Sequence, residues 1–258
     1  LFDLAHRAGW CGYSNPVSSV RVRKKKYGKK TDTKQKQFFH RDQIKDLIQT
    51  ALNHSEQPHH GVEWCSGLVL SFAAQTGLRF EEQAALDWQR VDLTRGKCYV
   101  ERVVRLVQKG SYAIDDVPKS DAALRPVNLA PSLVKDLREW KMRSPFSKNT
   151  DLVFPTRAGH FNVDSSNWRT RILHVVFAQT NEQRRREGKE PLENMTWHDL
   201  RHIYASLLFL QHGKDLNRIR AALGHQDIQT TISYYGHWIE DDDQDRRDAA
   251  KQDETLWG

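Results

Sequence analysis

The spacing of apolar residues predicts a chain built mainly from amphipathic helices. In the segment 195–211, apolar residues recur at every third or fourth position, as they do on the buried face of a helix. They are Leu200, Ile203, Tyr204, Leu207 and Leu208. Residues 40–54 repeat this pattern, and residues 62–79 form a more continuously apolar helix that we expect to end near Gly77.

The remaining segments complete a predicted α+β fold. Residues 97–108 are rich in valine and predict a strand, residues 125–129 predict another, and a polar loop separates them. Further helices are predicted over 131–140, 163–178, 215–222 and 227–234. The expected fold class is therefore mainly α with one small antiparallel β-sheet.

Composition excludes several classes of protein. The 258 residues are 38% hydrophobic, which suffices for a sizeable core, and no run of 18 apolar residues predicts a membrane-spanning helix. The three cysteines are widely spaced and form no Cys-x-x-Cys pair, which favours a reducing compartment such as the cytoplasm and disfavours a cysteine zinc site. Because the chain begins at Leu1 rather than at a methionine, we expect it to be part of a longer protein.

One short segment supplies the whole positive excess of the chain. Residues 21–36 contain nine Lys or Arg and one Asp, a local charge of +8 against a net charge of +7 for the whole chain. Such a run forms either a solvated linker or a strap that lies on nucleic-acid phosphates. The candidate DNA-binding residues are Arg23, Lys24, Lys25, Lys26, Lys29 and Lys30.

The helix predicted over roughly 197–211 carries the first candidate chemistry. His198, Arg201 and His202 fall on one side of it, opposite to the apolar stripe, and we expect them to project away from the core. A solvated polar face is the plainest interpretation. A metal site is a second one, because zinc proteases use histidines four residues apart, but the arginine would repel a cation. A phosphate site is the third, since Arg and His donate hydrogen bonds to phosphate oxygens.

Two more segments add candidates to this site. Arg79 follows the glycine that ends the helix 62–79, where an arginine either points into the interior or pairs with an acid such as Glu82. Downstream, His225 lies at a Gly-His corner between two short helices, and Tyr234 follows nine residues later. The two short helices also match a helix–turn–helix arrangement for DNA recognition.

Taken together, these motifs resemble the tyrosine recombinase, or phage integrase, family. The matching motifs are Thr-Gly-Leu-Arg at 76–79, His-x-Leu-Arg-His at 198–202 and Leu-Gly-His at 223–225, followed by Tyr234. The resemblance implies four parts of the chain. They are the end of a truncated core-binding domain over 1–20, a basic interdomain linker over 21–37, a catalytic domain over 38–237 and a tail over 238–258. The acidic tail is either solvated, disordered chain or a segment that docks on a neighbouring protomer.

The resemblance also implies the roles of the reacting residues. Arg79 and Arg201 would bind the non-bridging oxygens of a scissile DNA phosphate, and His225 would donate a hydrogen bond to the same group. His198 would support the site and assist proton transfer. Tyr234 would attack phosphorus, leaving a 3′-phosphotyrosine and a free 5′-hydroxyl, without a metal ion or ATP.

Further residues take supporting roles in this scheme. His202 and Glu82 would position their neighbours. The family also uses a loop lysine as the acid that protonates the leaving 5′-oxygen. Lys119, six residues before the strand 125–129, fits this role best, and Lys109 is the other candidate.

Two departures from the family pattern bear on these roles. The family usually has Glu-Leu where this chain has Glu82 and Gln83, which removes one apolar contact. The chain also has a tyrosine doublet. Its spacing from His225 favours Tyr234 as the nucleophile, and Tyr235 would replace it only if the helix shifted by one residue.

The function implied is site-specific recombination of double-stranded DNA, typical of a phage or another mobile element. Expected partners are a specific DNA site, further copies of the chain in a homotetramer, and accessory DNA-bending proteins; the expected location is the bacterial nucleoid or the cytoplasm of a phage host. The alternatives are a chromosome-dimer resolving enzyme, a type IB topoisomerase and a non-catalytic DNA-binding protein with the same fold. A metallohydrolase built on His198 and His202 is a further alternative.

Overall fold

The computed structural model describes residues 37–55, 65–116 and 124–238. The chain divides into two units, residues 1–34 and 35–258, and every described residue belongs to the second unit. The predicted core-binding remnant, the basic segment with its six DNA-binding candidates, Lys119 and the chain from residue 239 onward therefore lie outside the described residues.

Helices dominate the described part of the chain. They are α1 (Arg41–Ser55), α2 (Ser66–Thr76), α3 (Phe80–Ala84), α4 (Pro131–Arg143), α5 (Ser165–Trp168), α6 (His174–Arg186), α7 (Asp199–His212), α8 (Leu216–Leu223) and α9 (Ile228–Tyr235). A π-helix over Arg169–Leu173 joins α5 to α6, and α6 continues past the predicted end at residue 178 to Arg186. Short 3-10 helices cover Trp88–Arg90 and Gly236–Trp238.

Local sequence sets the ends of the helices around the site. The carboxylates of Asp215 and Asp227 accept backbone N–H groups in the first turns of α8 and α9. Gly77 and Gly224 end α2 and α8 in the left-handed conformation, with φ of 62° and 63°, which glycine adopts without steric cost. Each glycine thus turns the chain sharply just before a candidate site residue.

Two small antiparallel sheets replace the single predicted one. The strands β1 (Val91–Asp92), β2 (Lys97–Val100) and β5 (Arg125–Asn128) form a sheet in the order β1-β2-β5. The strands β3 (Val103–Gln108) and β4 (Ser111–Asp115) form a hairpin. The prediction of one continuous strand over 97–108, followed directly by a loop, was therefore wrong. Residues 111–115 pair through their backbone, while the polar side chains that predicted a loop stay largely exposed.

The most buried element is α2. Ten of its eleven residues are buried, and it packs between α1 and α7. Its Phe72 ring meets Phe154 edge to face at 5.1 Å between centroids. The α+β fold class is confirmed, and none of the helices in the three described segments combines the length and apolarity that crossing a membrane requires.

One prediction about α7 was wrong. In its predicted apolar stripe, Leu200, Ile203 and Leu208 are buried, and Tyr204 and Leu207 are half-buried. Arg201 and His202, however, do not project away from the core, because each is only 3% exposed. The segments that contain α8 and α9 pack on that side of α7, and only His198, at the first turn, is open to solvent.

Candidate active site

Arg79 is held at the start of α3 by an acid three residues later. Its backbone N–H donates to Glu82 Oε2 at 2.9 Å, and its Nη1 donates to Glu82 Oε1 at 2.8 Å. This is the pairing that the sequence offered as one of two positions for Arg79. The side chain is still 37% exposed, so the guanidinium is fixed in place and also accessible to a ligand.

Glu82 binds a second arginine that sequence reasoning missed. Arg125, the first residue of β5, donates from Nη2 to Glu82 Oε2 at 2.9 Å and from Nε to the carbonyl of Ala222 at 3.3 Å. Burial alone would raise the pKa of Glu82, but Arg125, Arg79 and Arg201 together lower it to about 2. Glu82 is therefore a carboxylate at neutral pH, and it links α3 to β5.

One feature of the sequence could have identified Arg125 as a buried residue of the site. In a strand, residues two apart share a face, and Arg125 shares its face with Val127. Both are buried, at 7% and 2% exposure. A charged side chain in a buried register requires a partner of opposite charge, so this alternation could have pointed to an acid near Arg125, an inference that the sequence analysis did not draw.

Arg201 is held by backbone carbonyls. Its Nη1 donates to the carbonyl of Gly77 at 2.7 Å, and its Nη2 donates to the carbonyl of Leu223, so Arg201 joins the ends of α2 and α8. Burial and the neighbouring Arg79 lower the pKa of Arg201 to about 9, which leaves it a cation at neutral pH. Gly77 cannot be replaced without strain, because a Cβ there would lie 2.2 Å from the Tyr204 ring.

His198 opens into a pocket that it shares with both candidate arginines. The pocket measures about 310 Å³. Its lining comprises Leu78, Arg79, Phe80, Glu81, Ser165, Trp197, His198 and Arg201. Two guanidinium groups and one imidazole thus face a single space, which is an arrangement suited to an anion with several oxygens, such as a phosphate.

His225 lies directly after the glycine that ends α8. Its Nδ1 is 2.9 Å from the hydroxyl of Thr231, one turn into α9. Burial, together with Arg201 and Arg79, lowers the pKa of His225 to about 3. The imidazole is therefore neutral at physiological pH and carries a single N–H.

The tyrosine doublet divides into one buried and one exposed residue. Tyr235 is 1% exposed, and its hydroxyl lies 2.6 Å from His202 Nδ1. Its ring packs on Trp238 at 4.7 Å, and burial raises its pKa. Tyr234 is 37% exposed, with its ring 6.2 Å from that of His202. Tyr234 is thus the member of the doublet that a large substrate can reach.

Lys109 and Gln83, which the sequence analysis also named, lie outside the pocket. Lys109 is exposed in the turn of the β3–β4 hairpin and, among the described residues, belongs to no ion pair of the cluster. Gln83 remains fully buried, where its Nε2 donates to the Val69 carbonyl at 2.9 Å in place of an apolar contact. Within the described ranges, no three His, Cys, Asp or Glu side chains are grouped so as to hold a metal ion.

The fold and the site together define a class of domain: a mainly α domain in which two guanidinium groups line one pocket and an exposed tyrosine lies on a neighbouring helix. The chain belongs to the phage integrase family, which matches residues 37–240.

Several curated proteins are similar to this chain. A XerC-like tyrosine recombinase of Caldanaerobacter subterraneus is 28% identical over 182 residues, which cover 64% of this chain and 43% of that protein. Tyrosine recombinase XerD of Vibrio vulnificus is 27% identical, over 71% of this chain and 52% of XerD. Prophage integrase IntR of Escherichia coli is 25% identical, over 66% and 42% of the two chains. This chain therefore spans about half the length of the curated relatives that it matches.

Solved structures share the fold at low sequence identity. The integrase of the Tn1549 transposon, in complex with a circular intermediate DNA, superposes with a TM-score of 0.65 at 17% identity, over 86% of this chain and 68% of that one. The XerA recombinase superposes with a TM-score of 0.53 at 21% identity, over 86% and 65% of the two chains.

Proposed function

We propose that this chain is the catalytic part of a site-specific DNA recombinase, which cleaves and rejoins strands through a covalent 3′-phosphotyrosine. One observation carries the proposal: Arg79, Arg201 and His198 converge on one pocket, while Tyr234 is exposed beside His202. A protein that only bound DNA would need basic surface contacts, but it would not need two guanidinium groups and an imidazole around one pocket, with an exposed phenol beside His202.

In the proposed cleavage step, Tyr234 Oη attacks the scissile phosphorus and the bond from phosphorus to the 5′-oxygen breaks. His198 accepts the phenolic proton. Arg79 and Arg201 bind the non-bridging oxygens and stabilise the charge that grows in the pentacoordinate transition state, and His225 donates a hydrogen bond to the same group. In the reverse step a 5′-hydroxyl attacks the phosphotyrosine, so the bond energy is conserved and no ATP is consumed.

The leaving 5′-oxygen needs a proton, and we assign this role to Lys119. The family resemblance supports the assignment, because Lys119 stands in the segment that precedes β5, the strand in which Arg125 reaches the cluster. Lys119→Met should abolish DNA relaxation in the assay described below, whereas Lys109→Met should retain it. The opposite pattern would transfer the role to Lys109, which lies in the β3–β4 turn.

Strand exchange also implies an assembly. Two duplexes that exchange both strands require four cleavages, which supports a homotetramer on DNA with one active tyrosine in each protomer. In that assembly the basic residues Arg23, Lys24, Lys25, Lys26, Lys29 and Lys30 would contact phosphates. The tail from residue 238 would dock on a neighbouring protomer, accessory proteins would bend the DNA, and the protein would act in the cytoplasm at the nucleoid.

Relaxation of supercoiled plasmid tests the chemistry without knowledge of the target site, because one protomer can cleave and religate a single strand. The reaction contains EDTA and compares the wild-type chain with Tyr234→Phe and, as a matched control, Tyr235→Phe. We expect relaxation by the wild type, its loss in Tyr234→Phe and its retention in Tyr235→Phe. Quenching with detergent should trap a protein–DNA adduct only where Tyr234 is present.

Two outcomes would contradict the proposal. Relaxation by Tyr234→Phe together with loss in Tyr235→Phe would make the buried tyrosine the nucleophile. A wild-type chain that binds DNA but neither relaxes it nor forms an adduct, both alone and within the longer protein on its own site, would favour a non-catalytic DNA-binding protein.

A further inference from the structure

Thr231 has a hydrogen-bonding arrangement that differs from that of other buried threonines in the described structure. Thr50, Thr76 and Thr180 each donate their hydroxyl to the carbonyl four residues earlier, at 2.7–2.8 Å, as is usual for threonine within a helix. Thr231 is fully buried, yet its hydroxyl lies 2.9 Å from His225 Nδ1. Its side chain thus serves the histidine of the site.

The direction of this hydrogen bond follows from the state of the imidazole. His225 is 8% exposed and is surrounded by the positive charge of Arg201, Arg79 and Arg125, with His198 nearby. A cationic imidazole is disfavoured there, so His225 has one N–H and one lone pair. A phosphate oxygen only accepts hydrogen bonds, so Nε2 must carry the proton if His225 is to contact it. Nδ1 is then the acceptor, and the hydroxyl of Thr231 is the donor.

We propose that Thr231 is a positioning residue that holds His225 in its Nε2–H tautomer, with that N–H directed at the scissile phosphate. This inference rests on the proposed recombinase function. Without the Thr231 hydroxyl, the Nδ1–H tautomer gains population and its Nε2 lone pair faces an anion. The contact then changes from attraction to repulsion, although Thr231 itself never touches DNA.

The test compares three variants in the plasmid relaxation assay. Thr231→Val keeps the shape but loses the hydroxyl, Thr231→Ser keeps the hydroxyl, and Thr230→Val is the matched control on the preceding residue. We expect Thr231→Val to relax DNA about 10- to 100-fold more slowly, by analogy with other groups that orient a functional histidine. DNA affinity should change far less than the relaxation rate, because only one of many phosphate contacts is altered. Thr231→Ser and Thr230→Val should relax DNA at close to the wild-type rate.

A spectroscopic measurement separates tautomer control from a loss of packing. Long-range proton–nitrogen correlation in protein labelled with 15N-histidine identifies which ring nitrogen of His225 is protonated. We expect Nε2–H in the wild type and in Thr231→Ser, with Nδ1–H increased in Thr231→Val. Nδ1–H in the wild type would overturn the proposal, even if Thr231→Val failed to fold. Full activity of a folded Thr231→Val would also overturn it, whereas an inactive wild type would instead count against the recombinase function itself.

Discussion

Arg79 and Arg201 reach the same pocket, but the protein holds them in different ways. On the Arg79 side, the carboxylate of Glu82 binds two arginines at once, because Arg125 approaches it from β5. On the Arg201 side, the partners are uncharged: the guanidinium is held by the carbonyls of Gly77 and Leu223. The same side contains the hydrogen bond between His202 and Tyr235 and the hydrogen bond between His225 and Thr231.

In the proposed phosphate site, this difference would separate two tasks: fixing the guanidinium groups in place and keeping their positive charge available to a ligand. A carboxylate fixes a guanidinium strongly but offsets part of its charge, whereas a carbonyl oxygen fixes it and leaves the full charge available to the ligand. The ion pairs on the Arg79 side therefore connect α3 to β5, and the uncharged partners on the Arg201 side preserve positive potential. The two sides should respond differently to substitution and to pH.

The largest loss of unfolding free energy is expected from Glu82→Gln. This substitution removes the only carboxylate that the described structure places between Arg79 and Arg125. Two guanidinium groups would then face each other around a neutral amide, and breaking such a buried pair costs about 3–5 kcal/mol of unfolding free energy. Urea unfolding measures the loss. The matched control is Glu81→Gln, because Glu81 is exposed and its change should stay within about 0.5 kcal/mol.

The lowered pKa of Glu82 predicts that the free energy of unfolding decreases at acidic pH. Folding lowers the pKa of Glu82 from 4.5 to about 2, so the unfolded chain binds this proton more readily than the folded one. The stabilisation, on the order of 3 kcal/mol, is therefore present above about pH 4.5 and is lost as the pH falls toward 2. Urea unfolding across this range should show the decline in the wild type and a smaller one in Glu82→Gln; equal slopes would contradict it.

A smaller loss of unfolding free energy is expected from Tyr235→Phe, on the Arg201 side of the site. The substitution keeps the ring against Trp238 but removes the hydroxyl that meets His202, which costs about 1–2 kcal/mol. Tyr234→Phe should change the unfolding free energy by less than about 0.5 kcal/mol, because Tyr234 is exposed. A larger loss from Tyr234→Phe than from Tyr235→Phe would reverse our assignment of the structural and the exposed tyrosine.

Much of the fold was predictable from short-range patterns. The helices at 41–55, 199–212 and 228–235 were predicted to within about two residues, because apolar periodicity is a local property. The strand β4 was missed, since its polar residues form a strand only because β3 lies beside them. The break between β2 and β3 was missed for the same reason.

The candidate site likewise has features that follow from the local sequence and features that depend on neighbouring segments. Motif spacing singled out Arg79, His198, Arg201, His225 and Tyr234 without any structure. It did not find Arg125, and it placed Arg201 and His202 on an open face, because helical periodicity describes one helix and does not include the segments that pack against it.

The sequence was enough to predict most of the helices, the α+β class and the candidate residues for phosphate binding, since each prediction depends on local periodicity or on motif spacing. The tertiary structure alone decided that Glu82 joins Arg79 to Arg125, that backbone carbonyls hold Arg201, and that Tyr234 is exposed while Tyr235 is buried. These are contacts between residues as many as 124 positions apart, and only the packed fold brings such groups within hydrogen-bonding distance.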